Sequence, residues 1–301
     1  MKSVDLHIHS CYSDGIYTPE QIAKTAKEKG IKCISITDHD SIAAQYIVNT
    51  EYNNKDLKII PGIELSTEYK EMELHILGYF IDIENNNLKC LVDNLNKQRL
   101  KRVEKILYNL KGYDINIQLD DLGVDLNSTI GRSHIANAMV KKGYFDNYKT
   151  AFKSYLIKGK PGYVKGFKLT YREALDIIME SGGVPVLAHP GQIYKKIEVE
   201  NIIKELKCFG LSGVEVYHPS HSAIDTNKFF NMAKKYKLSI TGGSDFHGRA
   251  NFDEQSIGSC GINDILLNKF IKIDNNWGKY GAIDKSKKNR TICNFNDNSK
   301  G

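Results

Sequence analysis

Two histidines one residue apart, with an aspartate five residues after the second, open this chain in the stretch VDLHIHSCYSDG, as His7, His9 and Asp14. On a β-strand, residues i and i+2 face the same side. Both imidazoles are therefore expected to leave one strand end together. Such a pair is costly to bury without partners and well suited to gripping a metal ion.

The pattern recurs along the chain. SITDHDS carries Asp38, His39 and Asp40, IIPGIELS carries Glu64, and ELHILGY carries His75. VPVLAHPG ends a further apolar run with His189, and ITGGSDFHG carries Asp245 and His247. Six of the nine histidines fall on these segments, joined by the carboxylates of Asp14, Glu64 and Asp245. A single histidine at a strand end is more often a rim or core residue. Nine donors aimed at one face would make a poor core, because each must be desolvated and paired. Mixed nitrogen and oxygen donors suit zinc, manganese or iron, and nine exceed what one ion needs. The expectation is two or three clustered divalent ions, manganese foremost, with Zn²⁺ or Fe²⁺ as alternatives.

The elements that must position these residues read as short apolar strands at Val4–His9, Cys33–Thr37, Lys58–Ile63, Leu74–Tyr79, Val184–Ala188, Gly213–Tyr217 and Ser239–Gly242. Helical patterns lie between many of them. TPEQIAKTAKEKG places a capping threonine before proline, and TYREALDIIMESGG repeats that grammar from Thr170 to a closing glycine. A third helical pattern is IDTNKFFNMAKKYKL. Strands alternating with helices predict βα units in a parallel sheet or barrel, whose active sites form at the C-terminal strand ends. From about 84 to 166 the rhythm changes to helix alone, which predicts a helical insertion able to cap a site. The barrel would then comprise residues 1–83 and 167–273.

The chain has 301 residues, 41% hydrophobic and 26% charged, an ordinary globular composition. No apolar run reaches the roughly twenty residues needed to span a bilayer. The sequence enters its first strand without a basic-then-apolar leader, so a cytoplasmic location and no membrane partner are expected. The six cysteines are scattered without a CxxC pair, which predicts reduced thiols. Of the net charge of +6, half lies between 274 and 301, where six basic residues face three acids. That polar segment is expected to be a mobile tail. Gly242-Gly243 lacks the lysine and spacing of a phosphate-cradling loop; close passage of the backbone beside the metals explains it better. Neither a serine nucleophile elbow nor a redox pair is present.

DLHIHSCYSDG, ITDHD, GIELS, HILGY, AHPG and GSDFH resemble, in that order, the motifs of the PHP (polymerase and histidinol phosphatase) superfamily. The resemblance covers most of the chain outside the tail, and no ligand position of the pattern is replaced. It implies a distorted seven-stranded βα barrel, TIM-like in plan, and three neighbouring metal sites. His7, His9 and Asp245 would hold one ion, His75 and His189 a second, and Asp14, His39 and His247 a third, with Glu64 bridging the first two. GRSHIANAMVKKGYF and AFKSYLIKGKPGYV resemble the capping subdomain of the nucleotide-specific branch, which contains 3′,5′-nucleoside-bisphosphate phosphatases and a 5′→3′ exoribonuclease, ribonuclease AM. There an Arg-x-His pair contacts the substrate, which here implies Arg132 and His134. A planar guanidinium fits phosphate, and the pair opens a helix whose amides favour anions.

The expected chemistry is phosphate ester hydrolysis by metal-activated hydroxide, without a protein nucleophile. The expected substrate is a nucleotide or short single-stranded RNA, and no obligate protein partner is evident. His218 and His221, in GVEVYHPSHS, are candidates for a phosphate contact or a proton donor, with rim positions the equal alternative. Lys158 and Lys160 read as a solvated basic loop. Two alternatives stand: a small-metabolite phosphatase such as histidinol phosphatase, and a non-catalytic metal-stabilised PHP module. The Arg-x-His pair argues against the first, and the complete ligand set against the second.

Overall fold

The computed structural model describes residues 3–70, 72–124, 128–193, 199–248 and 256–280. Eight of the nine strands among the described residues share one direction, six of them being β1 (Val4–Ile8), β2 (Cys33–Ile36), β4 (Gly62–Tyr69), β7 (Val184–Leu187), β8 (Gly213–Tyr217) and β9 (Ser239–Gly242). β3 (Lys58–Ile59) extends the β1–β2 pair, and β6 (Leu169–Thr170) flanks β4. β5 (Met72–Tyr79) runs against both its neighbours, β4 and β7. The two sheets, in orders β1-β2-β3 and β6-β4-β5-β7-β8-β9, are joined at both margins by bridges. Ile8 pairs with Phe246 just beyond β9, and His39 just beyond β2 pairs with Glu64 of β4. A seven-strand circuit results, β1-β2-β4-β5-β7-β8-β9, in agreement with the expected distorted barrel.

Two expectations about the strands need correction. The run at Lys58–Ile63 is two strands, because Pro61, which cannot donate to a ladder, separates β3 from β4. All strands were expected to be parallel and to end at the site. The reversed β5 instead brings its N-terminal half to that face, so His75 lies within a strand, opposite Ser66 of β4.

The helices form where the caps predict. Thr18 accepts from the Gln21 amide to start α1 (Pro19–Glu28), and Thr170 does the same for Glu173 at α6 (Tyr171–Glu180). α2 (Ala43–Glu51) follows β2, and the long α3 (Asn86–Lys111) follows β5. α6 lies so close on the sheet that a Cβ at Gly78 would sit 2.9 Å from Ile178. α4 (Arg132–Lys141) and α5 (Tyr148–Ala151) come before β6. α7 (Val199–Cys208), α8 (Ala223–Lys235) and α9 (Asp264–Tyr280) complete the chain order. The C-terminal half of α3 forms a separate apolar core with α4 and its neighbours, including Ile106, Leu110, Ile135 and Met139. α9 continues seven residues into the segment expected to be a tail; residues 281–301 lie outside the described residues. Among the described residues no helix is long and apolar enough to cross a membrane.

Candidate metal centre

Glu64 is the hub of the site. It is fully buried in β4, and its two oxygens face different histidines. Oε2 lies 3.3 Å from His7 Nε2, 3.3 Å from His9 Nε2 and 3.1 Å from His39 Nδ1. Oε1 lies 3.0 Å from both His75 Nδ1 and His189 Nε2. His7 and His9 leave β1 on one side, as the spacing requires, and their Nε2 atoms are 3.1 Å apart. Asp245 Oδ1 is 3.2 Å from His9 Nε2 and 3.5 Å from His7 Nε2. On the far side, Asp14 Oδ1 is 3.1 Å from His247 Nε2 and 3.8 Å from His9 Nδ1.

All nine expected donors thus come together, in four overlapping groups whose ligand atoms lie within 4.8 Å of one another. These are His7 with His9 and Asp245, His7 with Glu64 and His189, His39 with Glu64 and His75, and His9 with Asp14, His39 and His247. Hydrogen bonding alone does not account for the arrangement. Three imidazole nitrogens crowd one carboxylate oxygen, and the buried His39 Nδ1 makes no hydrogen bond among the described residues. Two ring nitrogens facing each other beside two carboxylates fit divalent cations in this donor set.

The backbone is strained where it delivers these groups. Asp40, His189 and Asp245 all have positive φ, at 51°, 23° and 52°, conformations costing on the order of 1–3 kcal/mol each. Each follows the end of β2, β7 or β9 and turns the chain sharply beneath the cluster. Gly243 permits a close approach: a Cβ there would meet the His7 backbone nitrogen at 2.3 Å. The passage expected of this glycine pair is beside the first ligand strand.

Electrostatics follow from burial and charge. Burial opposes charge on Glu64, yet His39, His7 and His75 outweigh it and hold its carboxyl well below the usual range. Asp14 and Asp245 are also held low against burial, by His247 and His7 respectively among others. Burial drives His39 down to about 3, which keeps its ring neutral.

Several supporting residues escaped the sequence. Glu215, fully buried in β8, accepts from His7 Nδ1 at 3.0 Å and from the His189 amide at 2.8 Å. A carboxylate on a metal-facing imidazole fixes its tautomer and raises its basicity. The only signal was an acid between two valines, in GVEVY. Asp38 accepts from the Ser10 amide and hydroxyl and from the Ser13 hydroxyl, which pins the loop leading to Asp14. Asp5 accepts from the amides of Ser244 and Gly258 and so holds the chain after β9.

The two uncertain histidines separate. His218 Nδ1 accepts from the Ser220 amide, so its Nε2–H faces Asp245 Oδ2 at 3.2 Å and orients that carboxylate. His221 donates from Nδ1 to the Val216 carbonyl and accepts at Nε2 from the Gly191 amide. Both its nitrogens are engaged by backbone, and it clamps two loops. Lys158 and Lys160 are exposed.

A cavity opens between the cluster and the helical segment. Asp14, His39 and His75 line one side; Arg99, Arg102, Arg132 and His134 line the other. Arg132 is the first residue of α4 and donates to the Leu156 carbonyl, while its guanidinium covers the Phe152 ring at 5.3 Å. His134 Nδ1 accepts from the Gly131 amide. Ser133 Oγ stands 3.3 Å from Asp14 Oδ2 and links α4 directly to the cluster.

The PHP domain profile matches residues 5–207. A 3′,5′-nucleoside bisphosphate phosphatase of Chromobacterium violaceum is 30% identical over 82% of this chain and 88% of its own. The 5′-3′ exoribonuclease Rnm of Escherichia coli K12 is 31% identical over 81% of this chain and 84% of its own. A solved Bifidobacterium adolescentis structure, assigned as a metal-dependent phosphoesterase, superposes with a TM-score of 0.80 at 25% identity, covering 89% of this chain and 95% of that one. The chain belongs to the PHP domain family and is a metal-dependent phosphoesterase of that family.

Proposed function

We propose that this phosphoesterase acts on nucleotides, removing the 3′-phosphate of a 3′,5′-bisphosphonucleoside or trimming short single-stranded RNA from its 5′ end. One observation carries the reading: the buried donor cluster and an arginine-bearing helical wall face each other across one cavity. The names of the relatives support the same class of substrate.

In this reading His7, His9 and Asp245 hold one cation, His75 and His189 a second, and Asp14, His39 and His247 a third. Glu64 is shared between the first two. Bound divalent ions, manganese foremost, would supply Lewis-acid charge for the phosphate oxygens and lower the pKa of water towards roughly 7. The residues do the rest by placement. Glu215 keeps a proton on His7 Nδ1 and leaves Nε2 turned inward. The neutral His39 offers a lone pair rather than a repelling charge. Arg132 and His134 hold the substrate from the helical segment, which serves as a substrate-binding subdomain, and Arg132 presents a planar fork to phosphate. His218 acts through Asp245.

The test is a product assay with added Mn²⁺ on a 3′,5′-bisphosphonucleoside, a 5′-phosphorylated trinucleotide and histidinol phosphate. The expected result is turnover of the first or second and none of the third. Turnover of histidinol phosphate alone would overturn the nucleotide reading.

A further inference from the structure

The C-terminal half of α3 has a second face, turned away from the apolar core beneath it. Ile106, Leu107 and Leu110 are buried, whereas Lys101, Glu104, Lys105 and Tyr108 are exposed. Spacings of three and four residues stack those four along one side of the helix. With Asn109 and Val164 they line a groove of about 440 Å³, within the range of ligand-sized clefts. Charge on this part of the helix is one-sided: between 97 and 111 six basic residues stand against Glu104. Tyr108 is 77% exposed and offers a ring face beside those lysines.

A lysine-rich helix face is ordinarily a solvated surface, and one exposed tyrosine needs no explanation. What separates this face from that case is its connection to the cavity over the donor cluster. Leu95, Gln98, Arg99 and Arg102 of the same helix line that cavity. Arg102 donates from Nε to the Val164 carbonyl at 2.9 Å, and Val164 is itself a wall of the groove. Cavity and groove therefore adjoin across one hydrogen bond. From Arg102 to Tyr108 the helix rises by about 9 Å. Leu88 to Leu95 pack on the barrel core and Val103 to Leu110 on the helical one, so this rise leads away from the barrel.

We infer that this groove binds the nucleotides downstream of the cleaved bond in single-stranded RNA, with Lys101 and Lys105 on phosphates and Tyr108 stacked against a base. The inference rests on the nucleotide reading above and, within it, makes an oligonucleotide the preferred substrate over a bisphosphonucleoside. Single strands expose base faces, which an aromatic ring takes without regard to sequence. An acidic peptide would use the lysines and leave the tyrosine without a part.

The test measures kcat/KM with Mn²⁺ on 5′-phosphorylated RNAs of two and six nucleotides and on a 3′,5′-bisphosphonucleoside. The proteins are the wild type, Tyr108→Ala, Tyr108→Phe, a double variant Lys101→Gln with Lys105→Gln, and a charge control on α1, Lys24→Gln with Lys27→Gln. Wild-type kcat/KM should rise from the dinucleotide to the hexanucleotide. Tyr108→Ala should lose at least about fivefold on the hexanucleotide, mainly through KM, and Tyr108→Phe should keep wild-type values. The Lys101 and Lys105 variant should flatten the dependence of log KM on log salt concentration for the hexanucleotide by about 1.4, as two phosphate contacts require. The bisphosphonucleoside should respond to none of these changes, and the α1 control should behave as wild type. No rise with length, equal losses on all three substrates, or an unchanged salt slope would overturn the groove while the nucleotide reading stands. Hexaglutamate that inhibits wild-type turnover at or below the KM of the RNA, but spares the Lys101 and Lys105 variant, would mark a peptide site instead. A wild-type protein that hydrolyses none of the three substrates overturns both readings.

Discussion

Glu215 Oε1 lies 3.0 Å from His7 Nδ1, and both side chains are fully buried inside the barrel. The pair fixes which nitrogen of His7 faces Glu64, so Glu215 acts on the centre through another residue. Removing that orientation typically weakens metal binding by roughly 10–100-fold. Glu215→Gln is expected to show that loss by titration calorimetry with Mn²⁺, with the far-ultraviolet spectrum unchanged. Wild-type affinity in the variant would show that His7 needs no such support.

Proton competition gives a second expectation. Burial opposes charge on His9 and His75, but Asp245 and Glu64 beside the first, and Glu64 and Glu73 beside the second, lift both to about 10. Without cations both rings therefore carry protons at neutral pH, and a cation must displace them. Binding should release protons and tighten as pH rises towards 10, as measured by calorimetry in buffers of different ionisation enthalpy. For the cation-free protein the sign is opposite. These folded values exceed the ordinary 6.5, so the stabilisation is complete below that pH and is lost as pH climbs through about 10. Affinity independent of pH would contradict the first statement, and an unchanged melting temperature of the cation-free protein between pH 7 and 10 the second.

Arg99 ties the helical segment to the barrel through Asp40, which is 2% exposed. Arg99→Ala would leave that carboxylate buried without its cation, a change costing roughly 3 kcal/mol. Urea unfolding at fixed metal content measures it. A loss below about 0.5 kcal/mol, the range of ordinary surface substitutions, would mean that the pair is dispensable.

The helical core can be weakened separately. Ile106 is fully buried among Leu110, Ile135 and Met139, and Ile106→Ala should cost about 2–5 kcal/mol. Because these residues form an apolar core of their own, metal content should stay at the wild-type value while the helical segment melts earlier. Loss of metal from the variant would show that the two cores are coupled.

The sequence revealed the clustered donors because their chemistry is local: HxH, DHD and SDFH place polar groups at the ends of apolar runs, where burial would otherwise be unfavourable. Strand direction was hidden. The residues of β5 alternate in the same way whether the strand runs with or against its neighbours, so His75 could be chosen but not placed. Glu215 was hidden because one acid in an apolar strand also reads as a surface position. Arg99 and Arg102 sit in NKQRLKRVEK, where only the fold distinguishes a cavity-facing arginine from Lys97, Lys101 or Lys105. His218 and His221 looked equivalent, and only their hydrogen bonds separate a carboxylate-orienting ring from a backbone clamp.

The central claim is that one buried carboxylate, Glu64, organises several cations through five histidines. Counting metal per chain by mass spectrometry, in wild-type protein and in Glu64→Gln purified alongside with Mn²⁺, addresses it most directly. The account predicts two or three ions in the wild type and at least one fewer in the variant at unchanged circular dichroism. Fewer than one ion per wild-type chain, or an identical count in the two proteins, would contradict it.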